Sequence, residues 1–323
     1  MNESNVPAGR IWWRAILGAA WLSVATWTWV TSADVLLASH PAHAVTAALA
    51  GLVGVIVLAL AVVALARRRA GLSVPTRARW LVLAWRGLAL LVSAAVLGSL
   101  VYLRPFSATD DAIALVDHSG AVRVDDSTTR LTLTPVGTAP DTALIFQPGA
   151  RVDPRAYLRL LEPVAAAGYL VVIVKQPFGI GFTALGAPTG IIADHDEIDH
   201  WVLGGHSLGG VAASWYVERH PAQIAGLLLW ASYPLDSLAA MTELHVTSVS
   251  GTQDALATPA DIEASRADLP PDATFVAIEG AVHSFFGDYG VQPGDGEPSV
   301  SRGAAQEEIV EVSTALLATL TSD

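Results

Sequence analysis

The chain has no cysteine, which removes disulfides, thiolate metal sites and a thiol nucleophile together. Charge is scarce as well. Only 15% of the 323 residues are charged and 52% are hydrophobic, so the chain is too apolar for an ordinary soluble enzyme and part of it is expected to face lipid. The charge it has is uneven: residues 1–104 hold nine Arg and two acids, whereas residues 105–323 hold nine Lys or Arg against 28 acids. Nucleic acid is therefore not an expected partner of the second region, because such affinity rests on cations that neutralise phosphates. A Gly-rich, lysine-bearing phosphate loop is also missing from the sequence, which argues against nucleotide-driven chemistry.

What is there, first, is a set of long uncharged runs. Ala15 to Ala33 is 19 residues without a charge, Pro41 to Ala66 is 26 and Gly87 to Leu103 is 17. Each is about long enough to cross ~30 Å of hydrocarbon as a helix. Trp12, Trp13, Trp27, Trp29, Trp80 and Trp85 lie near the segment ends, where an amphipathic ring suits the headgroup layer. A cleaved signal peptide is a poor reading of the first run, which is too long and is followed by two more. The expected anchor is residues 1–106, with transmembrane helices at about 12–37, 42–66 and 80–103. Arg10 and Arg14 precede the first helix, and Arg67, Arg68, Arg69, Arg77 and Arg79 fill the second connection, while the first connection has neither Lys nor Arg. The positive-inside rule then puts the N-terminus and second connection in the cytoplasm and the chain after Leu103 outside it. A multi-pass protein of the cell membrane with an extracytoplasmic domain is expected.

From residue 107 to 323 short apolar strands alternate with amphipathic helices, the pattern of βαβ units around a mainly parallel sheet. Strands are expected at 143–146, 170–174, 201–204, 226–230, 246–250 and 274–278, with helices near 154–167, 208–219, 259–267 and 304–319. An N-terminal hairpin over 113–133 is expected to add antiparallel edge strands.

Gly205-His206-Ser207-Leu208-Gly209 reads G-x-S-x-G and sits between a strand and a helix, where a nucleophile elbow belongs. Glycines flank the serine because a Cβ at either place would crowd so sharp a turn. In this architecture the triad runs Ser, acid, His along the chain. Asp254 follows the strand ending near Ser250, and His283 follows the one ending near Ile278. A serine hydroxyl needs a base to take its proton, a neutral imidazole does so at physiological pH, and a carboxylate fixes the ring's tautomer. Asp254 also reads as a turn-capping aspartate, with Asp261 and Glu279 as substitutes, and His283 as a packed loop residue. His206 reads as packing within the elbow. The backbone N–H of Leu208 is one expected oxyanion donor. The second should come from Gln147-Pro148-Gly149-Ala150, where proline has no N–H, so Ala150 is favoured over Gly149.

With those residues placed, the chain from Ala112 to Leu320 resembles the α/β-hydrolase fold-5 family, related in architecture to dienelactone hydrolases and small esterases. The likeness is carried by Ile145 to Gly149, by Trp201 to Gly210, by Leu229 to Pro234, and by His283 to Gly290 with Gln292. The resemblance implies an α/β-hydrolase fold with Ser207, Asp254 and His283 as nucleophile, acid and base. This chain departs from the family in its N-terminal anchor and in Ala150, where many relatives carry glycine.

The expected activity is hydrolysis of a small-molecule or lipid ester through an acyl-enzyme, with no cofactor and no metal. An acyltransferase or thioesterase using the same triad, and a non-catalytic membrane-anchored binding protein of the same fold, are the competing classes. A metalloenzyme built on the run from Asp194 to His200 is a third, and Asp288 and Asp295 also read as calcium ligands or as surface-loop acids.

Overall fold

The computed structural model describes residues 8–72, 78–118 and 120–321. Arg77 of the basic connection and residues 1–7 of the expected anchor lie outside them. The chain divides into two compact units: one holds the first three helices through Arg104, and the other runs from Pro105 onward and includes Ala38–Pro41.

In the first unit, uncharged sequence becomes three helices, α1 (Ala8–Ala38), α2 (Ala42–Arg69) and α3 (Arg79–Tyr102). Trp21, Ala25 and Ala50 form a small core, and the buried Trp21 indole donates to Ser93 Oγ at 3.0 Å. Most large apolar side chains of α2 and α3, Leu52, Val55, Leu83 and Leu91 among them, are exposed. Among the described residues two helices, α2 and α3, are long and apolar enough to cross a membrane by length and composition. The expectation of three is met only in part. The first segment is helical, but tryptophan, Thr28, Thr31 and Ser32 dilute its apolar run, and the helix is broken at Ser32, where φ is −148° and ψ 16°.

The second unit opens with α4 (Asp110–His118), followed by β1 (Val122–Asp126), β2 (Arg130–Pro135) and β3 (Thr142–Gln147). Then come α5 (Leu158–Ala166), β4 (Leu170–Val174), α6 (Ala187–Ala193), β5 (His200–His206) and α7 (Leu208–Arg219). The last elements are β6 (Gly226–Trp230), β7 (His245–Gly251), α8 (Pro259–Ala264), β8 (Thr274–Ile278) and α9 (Arg302–Leu320). The strands make one eight-stranded sheet in the order β1-β2-β4-β3-β5-β6-β7-β8. Pairing is antiparallel from β1 to β2 and from β2 to β4, and parallel from there on. This is the α/β sheet flanked by helices that the strand pattern predicts.

Continuous hydrophobicity in the central strands follows from cover on both faces. Because side chains alternate, Leu144 and Phe146 of β3 join one core with α5 and α9, while Ala143 and Ile145 join another with α6 and α7. Trp230 is fully buried in the first core, 4.7 Å from the Phe146 ring, with its indole N–H on Ser313 Oγ at 2.9 Å. Truncating such a residue to alanine costs about 3–5 kcal/mol, a large share of the ~5–15 kcal/mol that holds a domain folded.

Two local expectations change. The hairpin is real but starts at Val122, because residues 110–118 wind into α4: Asp110 and Asp111 favour a helix N-terminus, and Ala112 and Leu115 turn one face to the core. Helix α6 was hidden by Pro188 and Gly190, yet proline at a helix start costs no hydrogen bond.

Candidate active site

Strain marks one end of the sheet. Among the described residues four that are not glycine have positive φ: Arg151 (63°), Phe178 (56°), Ser207 (53°) and Ala231 (44°). They follow β3, β4, β5 and β6, four neighbouring strands, at their carboxyl ends. Each such conformation costs on the order of 1–3 kcal/mol and persists only where the surroundings over-determine it.

Ser207 sits at the corner between β5 and α7, with ψ −126°. Its N–H donates to Trp230 O at 2.9 Å and its carbonyl accepts from Ser232 Oγ at 2.7 Å, which offsets part of the strain. The glycines around it are required by contact. A Cβ on Gly205 would lie 2.4 Å from the Gly209 carbonyl carbon, and one on Gly209 would lie 2.0 Å from Gln147 O. The start of α7 is thereby pressed against the turn after β3, beside Gln147 and Pro148, so the two stretches expected to supply the oxyanion donors lie side by side.

Which N–H groups are available there follows by elimination. That of Gly149 donates to Tyr157 Oη at 2.8 Å, that of Arg151 to Gly179 O at 2.7 Å and that of Val152 to Gly149 O at 3.1 Å. Gly149, the alternative donor read from sequence, is thus committed elsewhere. Among the described residues the N–H groups of Ala150 and Leu208 have no acceptor.

His283 begins a short 3-10 helix after β8, and Asp254 lies in the loop after β7; both are buried. His283 Nδ1 and Asp254 Oδ2 are 2.8 Å apart. The other carboxylate oxygen, Oδ1, accepts from the N–H groups of Leu256 and Ala257, each at 2.8 Å, so the carboxylate cannot rotate freely. The His283 ring centroid is 4.5 Å from that of His206, the residue before Ser207. Residues from three loops thus converge at the elbow. The Ser207 hydroxyl and the His283 ring are not hydrogen-bonded to each other among the described residues, and such contacts commonly tighten only with substrate.

Several supporting groups carry no sign in the sequence of a role beside the histidine. Asp295 accepts from His283 N at 3.0 Å, Ser284 N at 2.8 Å and Gly296 N at 2.8 Å, holding the histidine's backbone from 12 positions away. Arg302 donates to the carbonyls of Ser284 and Gly287, both at 2.6 Å, and of Gly290 at 3.1 Å. Asp288, read as a possible surface-loop acid, is buried and accepts from Gln306 Nε2 at 3.0 Å. We expect Asp295→Ala to lower kcat about 10- to 100-fold by letting the imidazole wander, and Asp295→Asn, which keeps one acceptor oxygen, to fall between. Steady-state rates of the two variants check this, and a full rate for Asp295→Ala would rule the role out.

The acidic run before β5 has local partners: His195 pairs with Glu197 at 2.9 Å and Asp194 with Arg130 at 2.8 Å. Among the described residues no group of three or more His, Asp or Glu comes together in a way that would hold a metal ion.

His206, expected as packing, is fully buried, stacked on Phe286 and hydrogen-bonded through Nδ1 to Tyr157 Oη. Burial first, and then the nearby His283 ring, hold its pKa well below the ordinary 6.5. Burial likewise pushes the Tyr157 hydroxyl up. The sign for His206 follows by linkage. The unfolded chain takes up a proton near pH 6.5 that the folded one refuses, so stability falls as pH drops below about 6.5 toward the lower folded value. Relative to His206→Asn, the wild type should lose about 1.4 kcal/mol per pH unit in that window. Urea midpoints measured across the acid range check it, and parallel curves for the two proteins would refute it.

An eight-stranded, mostly parallel sheet, with a serine on a strained corner and a buried acid–imidazole pair beyond later strands, defines the α/β-hydrolase class. The chain belongs to the alpha/beta hydrolase family, whose model matches residues 143–307. Among solved structures it is similar to a thermophilic esterase from Thermogutta terrifontis, at 14% identity over 62% of this chain and 93% of that one, with a TM-score of 0.44. It is also similar to a monoacylglycerol lipase from Paleococcus ferrophilus, at 16% identity over 58% of this chain and 98% of that one, with a TM-score of 0.42. A third is a Butyrivibrio proteoclasticus protein with ferulic acid bound, at 12% identity over 62% and 98% and a TM-score of 0.44. No match is found among curated proteins.

Proposed function

We propose that this protein is a membrane-tethered serine hydrolase that cleaves carboxylic esters, small-molecule or lipid, through an acyl-enzyme. The observation that carries the reading is Ser207 held at φ 53° on a glycine-lined corner, beside an imidazole bound to Asp254. Ser207 Oγ attacks the ester carbonyl while His283 Nε2 takes its proton, and Asp254 stabilises the imidazolium. The tetrahedral oxyanion rests on the N–H groups of Leu208 and Ala150. Collapse breaks the bond to the alkoxide, which leaves as alcohol with the proton from His283. Water, deprotonated by the same ring, then releases the acid and restores the serine.

A fluorophosphonate probe tests the reading: wild type should be labelled and Ser207→Ala should not. Absence of label on wild type, or equal label on both, would overturn it.

Tethering is supported by α2 and α3, which are long and apolar enough to span a bilayer, and by the basic cluster Arg67, Arg68 and Arg69 at the end of α2. In this reading α1 is the third span, residues 1–106 form the anchor, and residues 107–323 form an extracytoplasmic hydrolase domain. A reporter enzyme that works only in the cytoplasm should be silent when fused after residue 323. Activity of that reporter would reverse the topology.

A further inference from the structure

Two fully buried side chains, Tyr157 and His206, are tied to both halves of the oxyanion site. The Tyr157 hydroxyl accepts from Gly149 N–H at 2.8 Å and lies 2.9 Å from His206 Nδ1, across 49 positions of sequence. The hydroxyl oxygen accommodates both contacts, and which of Oη and Nδ1 donates in the second is set by the ring's tautomer. His206 directly precedes Ser207. The contact with the turn is also steric: a Cβ on Gly149 would lie 2.6 Å from His206 Nδ1 and 3.1 Å from Tyr157 Oη. In the β3–β5 ladder Gln147 is the register partner of Gly205, so the turn and the elbow leave the sheet side by side.

We propose that Tyr157 and His206 are positioning residues that clamp the turn after β3 to the elbow and so hold the Ala150 N–H in its place as the second oxyanion donor. The inference rests on the serine-hydrolase reading of Ser207. The Tyr157 hydroxyl itself touches no reacting atom. It consumes the neighbouring N–H, that of Gly149, and ties the turn to the residue before the nucleophile. Tight packing of Tyr157 against Phe146, with ring centroids 4.9 Å apart, means that Tyr157→Phe removes the hydrogen bonds and little else.

With a soluble p-nitrophenyl ester and the full-length protein in detergent, Tyr157→Phe should lower kcat about 10- to 100-fold with KM within about twofold of wild type. Binding of a trifluoromethyl ketone, which forms a tetrahedral adduct on the serine, should weaken by the same factor. A merely structural role would not make those two numbers track each other. Unchanged kcat, or ketone affinity unchanged while kcat falls, would overturn the inference. Failure of wild type to react with a fluorophosphonate would remove the serine reading and this inference with it. A labelled wild type with a fully active Tyr157→Phe would remove this inference alone.

Discussion

Replacing Ser207 by alanine is expected to lower kcat/KM for an ester about 10⁵- to 10⁶-fold and to leave stability almost untouched. The size of the kinetic loss is that of removing a nucleophile whose partners then have nothing to activate. The small effect on stability follows from the geometry. The Ser207 side chain makes no hydrogen bond among the described residues, and the bonds that pin the corner use its backbone N–H and carbonyl, which alanine retains. Substitutions without a lost contact or cavity stay within about 0.5 kcal/mol. Ser207→Gly sharpens the point, since glycine adopts positive φ without the Cβ penalty and should be as inactive yet about 1 kcal/mol more stable. Hydrolysis rates together with denaturant midpoints for the three proteins check both halves. An alanine variant that keeps a tenth of the activity would exclude Ser207 as nucleophile.

The second large effect is expected for Asp254→Asn. In the folded protein Oδ1 is held by the N–H groups of Leu256 and Ala257, while Oδ2 faces His283 Nδ1. An asparagine carbonyl must occupy the Oδ1 position to satisfy those two donors, which turns the amide NH₂ toward the ring. The ring then accepts at Nδ1 and carries its proton on Nε2, with no lone pair to offer the serine. A kcat loss of about 10⁴-fold with KM little changed is expected. His283→Ala should lose at least as much, and combining either change with Ser207→Ala should add almost nothing, because the three act as one unit. A loss under tenfold for Asp254→Asn would mean that another carboxylate orients the ring.

Much of this site was legible before any coordinates, for local reasons. The elbow announces itself because a serine forced to positive φ between a strand and a helix needs small neighbours on either side, and Gly205 and Gly209 supply them within one pentapeptide. Asp254 and His283, which the structure pairs, follow later strands that can be counted because apolar runs alternate with turn residues. The contact of Tyr157 with Gly149 and His206 gives no signal in the sequence: one tyrosine among Leu158, Leu160 and Leu161 reads as core packing, and it is core as well. Asp295 read as a loop acid because nothing nearby in sequence says that its carboxylate caps the histidine turn. The hairpin boundary slipped because the segment before β1 carries a helical face that four or five residues of alternation can imitate.

By itself, then, the sequence determined the class of fold, the place of a serine on a glycine-flanked corner with an acid and a histidine after later strands, and the uneven split of charge between an apolar first third and an acidic remainder. These depend on periodicity, on backbone strain and on composition, which neighbouring residues settle among themselves. Only the tertiary structure decided which amide of the Gly149-Ala150 pair is free, which groups hold the imidazole, and why the His206 pKa is pushed below its ordinary value. Those outcomes depend on hydrogen bonds and burial between loops that come together solely because parallel strands deliver them to the same edge of the sheet.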